Sequence, residues 1–568
     1  MKTNRFIQML LCALGIVFLA SCNTGGDSGE NPVNNKGGDT VPSVSQVPDA
    51  ADILDTITAL KVSLSGVDTT ETWTTYTDIA LADGATVITG TGATVAGDLI
   101  TISDPGTYML SGTLTDGQVH VNDVGDNVYL ILNGANITCS NSAPLAIFGS
   151  KKKVVTLAPG TTNYLTDGSV YTVFYNSKND EPNGTLFAKK ALTINGTGTL
   201  YVNGNFNNGI SCKDNLVILN ATVIASSPNN ALKGNDSIII KDADVTLTSD
   251  ADGMKSDSDD DGLGYVYIDN SSVTITAVND GIDAFRSVRI AGGVFDITTG
   301  GGSNAVHADD DSRKAIKSDM DMLIEGGTFN INAYEDALRS KGSMVLSGGT
   351  MNLSSANAAV RAEDLLLIDG ADITITKSTG GFRAKKIVMN DGDANIISSG
   401  YGIYNTGANV ADPENTTSFT VISGGDVSVN AVQESFYSPG VLQIAGGKVS
   451  VHAPVDPADE PLSVAGLVIN GGTLAAPGPE GNVIIPAKNS EQPSVLVTFN
   501  TAVNAGDVLE LKNAGGTTLV NYTAARAYNS ILISELQLVS GSSYSIALNG
   551  SQVKTFKMSG KVLRVSVN

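Results

Sequence analysis

The sequence has few of the residues that mark several common kinds of site. Its 568 residues include 3 histidines, 4 cysteines and 1 tryptophan. It contains neither a Cys-x-x-Cys pair nor a histidine cluster, which argues against structural zinc. Basic residues are also scarce, 34 against 58 acidic ones, for a formal net charge of −24. That charge is unfavourable for nucleic-acid binding, which needs a basic face. Excess carboxylate suits a hard cation such as calcium, and it equally suits the solubility of an exported protein.

A short motif recurs through the middle of the chain at a nearly fixed step. The motif is a polar residue, then Gly or Ala, then a large apolar residue, and often Lys or Arg. From Gly209 to Ala231 to Gly253 the step is 22 residues, and two longer steps of 28 and 34 residues each carry an insertion. The copies are Asn208–Ile210, Asn230–Lys233, Asp252–Lys255, Asp280–Asp283, Lys314–Lys317, Asp336–Arg339, Ala358–Arg361, Gly380–Arg383 and Tyr401–Tyr404. Such a period is typical of stacked units that share one core.

Each repeat has room for three short strands and three turns. Strand-length apolar runs such as 216–218 and 238–240 are followed by Gly-Gly or Asp-Gly turns. The fold class is therefore all-β, a parallel β-helix with about 22 residues in each coil. Strand alternation should bury the third motif residue and point the fourth outward.

The two ends of the chain differ from this repeat. Lys2 and Arg5 precede a short apolar run that ends in Leu19-Ala20-Ser21-Cys22, which resembles a bacterial lipobox. We predict a lipoprotein signal peptide at 1–21 with Cys22 lipidated, and a flexible tether at 22–65. We predict the β-helix at 66–482 and a small C-terminal β-domain or end cap at 490–568. Cys139 and Cys212 would lie several coils apart, so we expect free buried thiols.

One group of acidic residues lies in two neighbouring coils. Asp252 and Asp280 share the first motif position, so their strands should be neighbours, and stacked carboxylates repel each other. A bound cation removes that repulsion. The candidate calcium ligands are Asp250, Asp252, Asp257, Asp280 and Asp283. A solvated acidic insertion loop is the alternative.

The fourth motif position forms a basic row that only Asp283 interrupts. Its members, taken as candidate glycan-binding residues, are Lys233, Lys255, Lys317, Arg339, Arg361 and Arg383. Like charges on adjacent strands are unfavourable unless something offsets them. Two explanations for what offsets these charges stay open. The first is ion pairs with Glu335, Asp336, Glu363 and Asp364, and the second is an extended anionic ligand bound along the row.

Aromatic residues make up 5% of the chain, with Trp73 its single tryptophan. A tryptophan platform for sugar rings is therefore not expected, and charge and calcium are favoured instead. Five tyrosines are candidates to line a face or to serve the structure: Tyr265, Tyr267, Tyr334, Tyr401 and Tyr404.

Several segments together resemble a family of calcium-binding, polysaccharide-binding right-handed parallel β-helix proteins, similar in fold to family nine pectate lyases. The segments are Asn205–Ile210, Asp252–Asp257, Gly264–Ile268 and Asn279–Ile282. The resemblance covers about residues 70–480 and implies calcium at Asp252 and Asp280 with a cellulose-like or pectic glycan. The coils at 230, 358 and 380 depart from the family in having Asn, Ala and Gly where the repeated acid is expected, so fewer ions are expected there.

These observations favour calcium-dependent, non-catalytic binding of a cell-wall polysaccharide, pectic or cellulose-like, by a monomeric protein anchored in the bacterial envelope, at the outer membrane or cell surface. One alternative is a calcium-dependent pectate lyase, in which Lys255 or Lys317 takes the proton. No unique catalytic constellation is present, so no catalytic residue is assigned. A structural surface adhesin is the second alternative.

Overall fold

The computed structural model describes residues 40, 41, 44, 64–122, 125–149, 151–178, 180–407 and 417–568. All the secondary-structure elements of these residues are β-strands. In this part of the chain no helix is long and apolar enough to cross a membrane. The predicted signal peptide, Cys22 and most of the predicted tether lie outside the described residues.

Strands pair with their counterparts one coil further along the chain, in parallel. Ile210 lies opposite Leu232, and Leu232 lies opposite Met254. Repeating this pairing over about 15 coils builds a β-solenoid with three parallel sheets. The predicted all-β parallel β-helix, with coils of about 22 residues, is confirmed.

We name the three sheets the motif sheet, the second sheet and the third sheet. The motif sheet holds Leu99–Ile102, Gln118–Val121, Leu145–Ile147, Gly184–Ala188, Asn208–Cys212, Leu232–Gly234, Met254–Ser256, Ile282–Ala284, Ile316–Ser318, Leu338–Ser340, Ala358–Ala362, Gly380–Ala384 and Ile403–Asn405. The second sheet holds Lys153–Leu157, Leu192–Asn195, Asn215–Leu219, Ser237–Lys241, Tyr265–Asp269, Ser287–Ile290, Met322–Ile324, Met344–Leu346, Leu365–Asp369, Lys386–Asp391 and Phe419–Ile422. The third sheet holds Thr162–Asp167, Thr199–Asn203, Thr222–Ser227, Asp244–Ser249, Ser271–Ala277, Gly293–Thr299, Thr328–Ala333, Thr350–Ser355, Asp372–Lys377, Asp393–Ser398, Asp426–Ala431, Lys448–Val451 and Thr473–Gly478.

Four longer strands bend from one sheet into the next. Gly106–Leu114 and Val128–Cys139 run along the second and third sheets, and Phe436–Ile444 and Leu462–Ile469 run along the motif and second sheets. At the start of the solenoid, Thr77–Leu81 pairs in parallel with Gly106–Leu114. Val87–Thr89 and Ala93–Ala96 pair antiparallel with Thr77–Leu81 and Leu99–Ile102, respectively.

The third motif residue of each coil fills the core, as predicted. From Ile210 to Ile403 these side chains are at most 3% exposed. They stack over one another along the coil axis because the strands stay in register. Burying such a column of aliphatic side chains is the main source of stability in a coil that cannot fold alone. Cys139 and Cys212 are buried and free.

The second motif position favours small residues because the next coil passes directly beneath it. A Cβ atom at Gly209 would lie 2.7 Å from the backbone oxygen of Ala231. We therefore predict that Gly209→Val lowers the free energy of unfolding by about 1–3 kcal/mol, the usual cost of overpacking. Chemical denaturation measures this, with Gly292→Val as the control, since no atom lies within 4 Å of a Cβ there. Equal stability of the two variants would contradict the explanation.

The chain end adds further strands beyond the last coil, most of them antiparallel. Tyr528–Glu535 pairs with both Thr473–Gly478 and Ser494–Val503, and Val562–Val567 pairs with Ser494–Val503. A separate four-stranded sheet holds Val508–Asn513, Thr518–Thr523, Ser543–Leu548 and Ser551–Lys557. Tyr528–Glu535 covers the edge of the last coil by pairing with Thr473–Gly478, as a strand of an end cap should.

Three described residues of the predicted tether contact the β-helix: Val41, Val44 and Leu64, the last of which packs against Val217, Leu219 and Ile239. Val41 is buried and exchanges backbone hydrogen bonds with the side chain of Asn489, and the Val44 amide donates to Gln443. At Val41 and Val44 the segment lies against the last coils and is not a free linker.

Candidate functional site

The fourth motif residues form one continuous row on the outside of the motif sheet. Strand register places Lys233 beside Lys255, then Asp283, Lys317 and Arg339 in neighbouring coils. Arg361, Arg383 and Tyr404 continue the row. Neighbouring members are about 4.8 Å apart along the coil axis. All six candidate glycan-binding residues therefore lie on one line.

Three of the five predicted calcium ligands come together beside this row. One carboxylate oxygen each of Asp252, Asp280 and Asp283 lies within 4.8 Å of the others. The three residues are 6%, 1% and 8% exposed. Asp252 and Asp280 are stacked at the first motif position, where the Asp280 amide donates to Asp252 Oδ1 at 3.1 Å. We call these three residues the carboxylate cluster.

The same stack continues upstream as amides. Asn208 and Asn230 hold the first motif position in the two preceding coils, and the Asn230 side chain donates to Asn208 Oδ1 at 3.0 Å. Stacked asparagines satisfy one another without charge. The repulsion between carboxylates is thus confined to the coils that carry Asp252, Asp280 and Asp283.

Two lysines of the row fit between the three carboxylates. Lys255 Nζ lies 2.8 Å from oxygens of both Asp252 and Asp283. Lys317 Nζ lies 2.9 Å from Asp283 and 3.3 Å from Asp280. Three carboxylates and two ammonium groups leave a formal charge of −1. Asp280 accepts two further hydrogen bonds, from the Ser312 hydroxyl and from the Lys314 amide.

These contacts set the protonation of the cluster. Burial raises the pKa of Asp252, and the contact with Lys255 offsets this only in part. Burial alone would also raise the pKa of Asp283, but its two lysine neighbours outweigh it and lower that pKa. For Lys255 and Lys317, burial alone would lower the pKa, but the nearby aspartates outweigh it and raise the pKa of both above the ordinary lysine value. Both lysines are therefore held protonated, which is the wrong state for a general base.

Asp250 and Asp257 are not part of the cluster. Asp250 is exposed at the end of a third-sheet strand. Asp257 pairs with Lys233, with 2.5 Å between Lys233 Nζ and Asp257 Oδ2. An insertion follows Asp257 and places it outside the column of first-position residues.

The cluster fits calcium in the chemistry of its donors. Three carboxylates supply the hard oxygen ligands that calcium prefers, and their spacing lets one ion touch all three. The oxygens are already occupied by Lys255 and Lys317, however. Asp252, Asp280 and Asp283 would hold the ion, and the two ammonium groups compete with it for the same atoms.

Two of the three arginines in the row are paired internally. Glu363 accepts from Arg339 in a short hydrogen bond and from Arg361 at 3.1 Å. Burial alone would raise the pKa of Glu363, but the two guanidinium groups outweigh it and lower that pKa. Asp336 lies beneath, 4.0 Å from Arg339. The ion-pair alternative thus describes this part of the row.

Arg383 differs from its two neighbours. In the part of the chain that the structure describes, no carboxylate pairs with it. Its Nε atom is buried without a hydrogen-bond partner, as is the Nε atom of Arg361. The row then ends in Tyr404 and Tyr437, which follow Arg383 in register. Tyr437 was missed in the sequence, although Phe436-Tyr437 has the form of third and fourth motif positions.

Comparison with known proteins decides the family. The profile of the family described as "Carbohydrate-binding domain-containing protein" matches residues 96–359 and 354–475. This chain belongs to that family. A protein of the same description from Acetivibrio thermocellus is 38% identical over 213 residues, which are 37% of this chain and 74% of that protein.

A solved structure titled "Structure of the polysaccharide lyase-like protein from C. thermocellum, Gadolinium derivative" is also similar. It shares 36% sequence identity, and the match covers 40% of this chain and 92% of that one, with a TM-score of 0.38.

The carbohydrate-binding domain, as the family profile bounds it, includes both features described above. The carboxylate cluster and every member of the basic row fall within residues 96–475. The C-terminal antiparallel strands fall outside it. A polysaccharide is thus the partner that family membership supports.

Proposed function

We propose that this protein binds an acidic cell-wall polysaccharide, pectic in character, without cleaving it, and that calcium supports this binding. The observation that carries the proposal is the straight row of cationic side chains along the carbohydrate-binding domain. Uronate chains present carboxylates in a repeating line, and guanidinium groups bind carboxylates in bidentate fashion. Stacking aromatics play a minor part along the row, since most of its members are charged.

Calcium has two roles in this proposal. Asp252, Asp280 and Asp283 would hold the ion, whose two positive charges would offset these carboxylates in place of the ammonium groups of Lys255 and Lys317. The two ammonium groups would then be free to turn toward solvent and join the arginines as contacts for the glycan. Both lysines are part of the outer row and have long flexible stems, so the change needs no movement of the coil.

A lyase is the less favoured function. Proton abstraction from a uronate needs a base that is neutral near the working pH. The pKa of Lys255 and that of Lys317 are raised by their aspartate neighbours, so neither is prepared for that task. Binding without cleavage needs no such group.

Retention on immobilised polygalacturonate tests the proposal. The full chain should be retained at low salt with calcium, less so with a chelator, and should elute as salt screens the charges. A cellulose column is the neutral control. Equal retention on both supports would contradict acidic specificity, and formation of unsaturated uronate ends, seen by ultraviolet absorbance, would contradict the non-catalytic role.

We also propose that a lipid on Cys22 anchors the protein in the bacterial envelope, at the outer membrane or cell surface. The support is the Leu19-Ala20-Ser21-Cys22 pattern after a short apolar run. We predict that Cys22→Ser moves the protein from the membrane fraction to the soluble fraction or leaves it unprocessed, as fractionation and mass analysis would show. An unlipidated N-terminus on native protein would contradict the anchor.

A further inference from the structure

The basic row ends in a pocket walled by three tyrosines. Tyr404 and Tyr437 hold the two row positions after Arg383, and their rings stack at 5.0 Å with 10° between planes. Tyr401 leans across them, with ring centroids 5.1 and 5.5 Å away. The Arg383 guanidinium lies over the Tyr404 ring at 5.4 Å. Together with Asn357 and Thr379 these residues enclose a cavity of about 380 Å³, which we call the tyrosine pocket.

The pocket exists because the first motif position is empty at this point in the solenoid. Where other coils have Asn230, Asp252 or Asp280, the coils here have Ala358 and Gly380, and both line the cavity. A Cβ built on Gly380 meets nothing nearer than the Ala358 Cβ at 3.9 Å. The missing side chains thus create a recess directly beside the row, of a size within the range of small-molecule sites.

The charge of Arg383 indicates which chemical group a ligand would place at that side of the pocket. Arg383 is the arginine of the row that no described carboxylate neutralises, and its buried Nε, like that of Arg361, has no hydrogen-bond partner. A buried guanidinium donor without a partner is unfavourable, and a ligand carboxylate satisfies it. An anion is therefore favoured beside Arg383.

The other side chains that line the pocket suit a sugar ring. Tyrosine offers a rigid apolar face and a polar hydroxyl at little cost in conformational entropy. Asn357 and Thr379 add an amide and a hydroxyl to the lining. A pyranose ring has an apolar face formed by C–H bonds and an edge of hydroxyl groups, which match these two kinds of surface.

We propose that the tyrosine pocket is a subsite for a single uronic-acid unit of the bound polysaccharide. Its carboxylate pairs with Arg383, its ring packs against Tyr401 and the edges of the stacked Tyr404 and Tyr437 rings, and its hydroxyls face Asn357 and Thr379. This subsite rests on the proposed binding of an acidic glycan, and it places one end of the bound chain. It also gives the protein an affinity for short uronates that the row alone, with Arg339 and Arg361 already paired, does not provide.

The experiment compares trigalacturonate with polygalacturonate on the full chain by calorimetry, with calcium held fixed. Gly380→Leu fills the pocket without removing a ligand-binding group, and Arg383→Gln removes the charge. Each should weaken trigalacturonate binding at least tenfold, while the Gly380→Leu variant still binds the polymer through the row. Tyr164→Ala is the matched control, because Tyr164 stacks on Tyr201 at 5.0 Å on the third sheet, away from the row.

The methyl ester of trigalacturonate tests the contact with Arg383 directly. Esterification should weaken binding to the parent protein and should weaken it no further in Arg383→Gln, since the two changes remove the same contact. Unchanged trigalacturonate binding in a folded Gly380→Leu variant, with polymer binding intact, would overturn the subsite and leave the proposed function standing. Failure of the parent to bind either glycan would overturn both.

Discussion

Removal of calcium should lower the midpoint of thermal unfolding in the parent protein and leave it unchanged in an Asp252→Asn, Asp280→Asn variant. At a calcium concentration of about 100 times its dissociation constant, ligand linkage contributes about 2.7 kcal/mol to stability. Asparagine is the suitable replacement because Asn208 and Asn230 already stack at the same motif position. The amide stack would extend through two more coils, so loss of the calcium response would not reflect misfolding.

The two lysines of the cluster provide the decisive control. In a Lys255→Met, Lys317→Met variant without calcium, buried carboxylates are left unpaired, which costs about 3–5 kcal/mol when a buried pair is broken. If the cluster binds calcium, adding the ion should restore stability and the variant should bind it more tightly than the parent does, since the competing ammonium groups are gone. A variant that stays destabilised at high calcium would show that the cluster is only an internal ion-pair network.

The row and the core were predictable from the sequence because the 22-residue step fixes the strand register. Once Ile210, Leu232 and Met254 are stacked inside, the residues that follow them must stack outside. The meeting of Asp252 with Asp280 follows from the same reasoning. The step from Asp252 to Asp280 is 28 residues and not 22, but this does not change the strand pairing. The extra residues form a loop outside the β-helix, and the strands on either side of it stay in register.

The contacts between side chains on the outer face were less predictable. Register says that Lys255 lies beside Asp283, but it does not say that its ammonium group reaches back to Asp252. Asp257 follows Lys255 closely in sequence, yet it pairs with Lys233 of the preceding coil. The side chains on the outer face are long, and their contacts depend on which rotamers they adopt. They also depend on which groups the loops between coils bring near, and strand register determines neither.

The tyrosine pocket was hidden for a different reason. Tyr437 follows Tyr404 by 33 residues, and Ser435 replaces the usual Gly or Ala of the second motif position. A search for the motif alone therefore finds its last copy at Tyr401–Tyr404. The recess also depends on what Ala358 and Gly380 lack, and a missing side chain gives no positive signal in a sequence.

Changing Arg339, Arg361 and Arg383 together to Glu should weaken binding to polygalacturonate by roughly ten- to a hundredfold and leave binding to neutral glycans nearly unchanged. The estimate takes about 0.5–1 kcal/mol for each exposed contact between opposite charges. The contacts of the three arginines predict different effects on binding and on stability. Arg383→Glu alone should reduce binding without reducing stability, since no described carboxylate pairs with Arg383. Arg339→Glu with Arg361→Glu should reduce both, because each arginine loses Glu363.

Glu363→Gln separates the functional explanation from the structural one. This change frees Arg339 and Arg361 from their shared partner and adds no charge to the row. If the row grips an acidic chain, Glu363→Gln should bind polygalacturonate more tightly than the parent at low salt, with the gain lost as salt is raised. If the row serves only to join coils through ion pairs, the variant should be less stable and should bind no better. Equal binding of the parent, the triple Glu variant and Glu363→Gln, with calcium held fixed, would show that the glycan lies elsewhere on the domain.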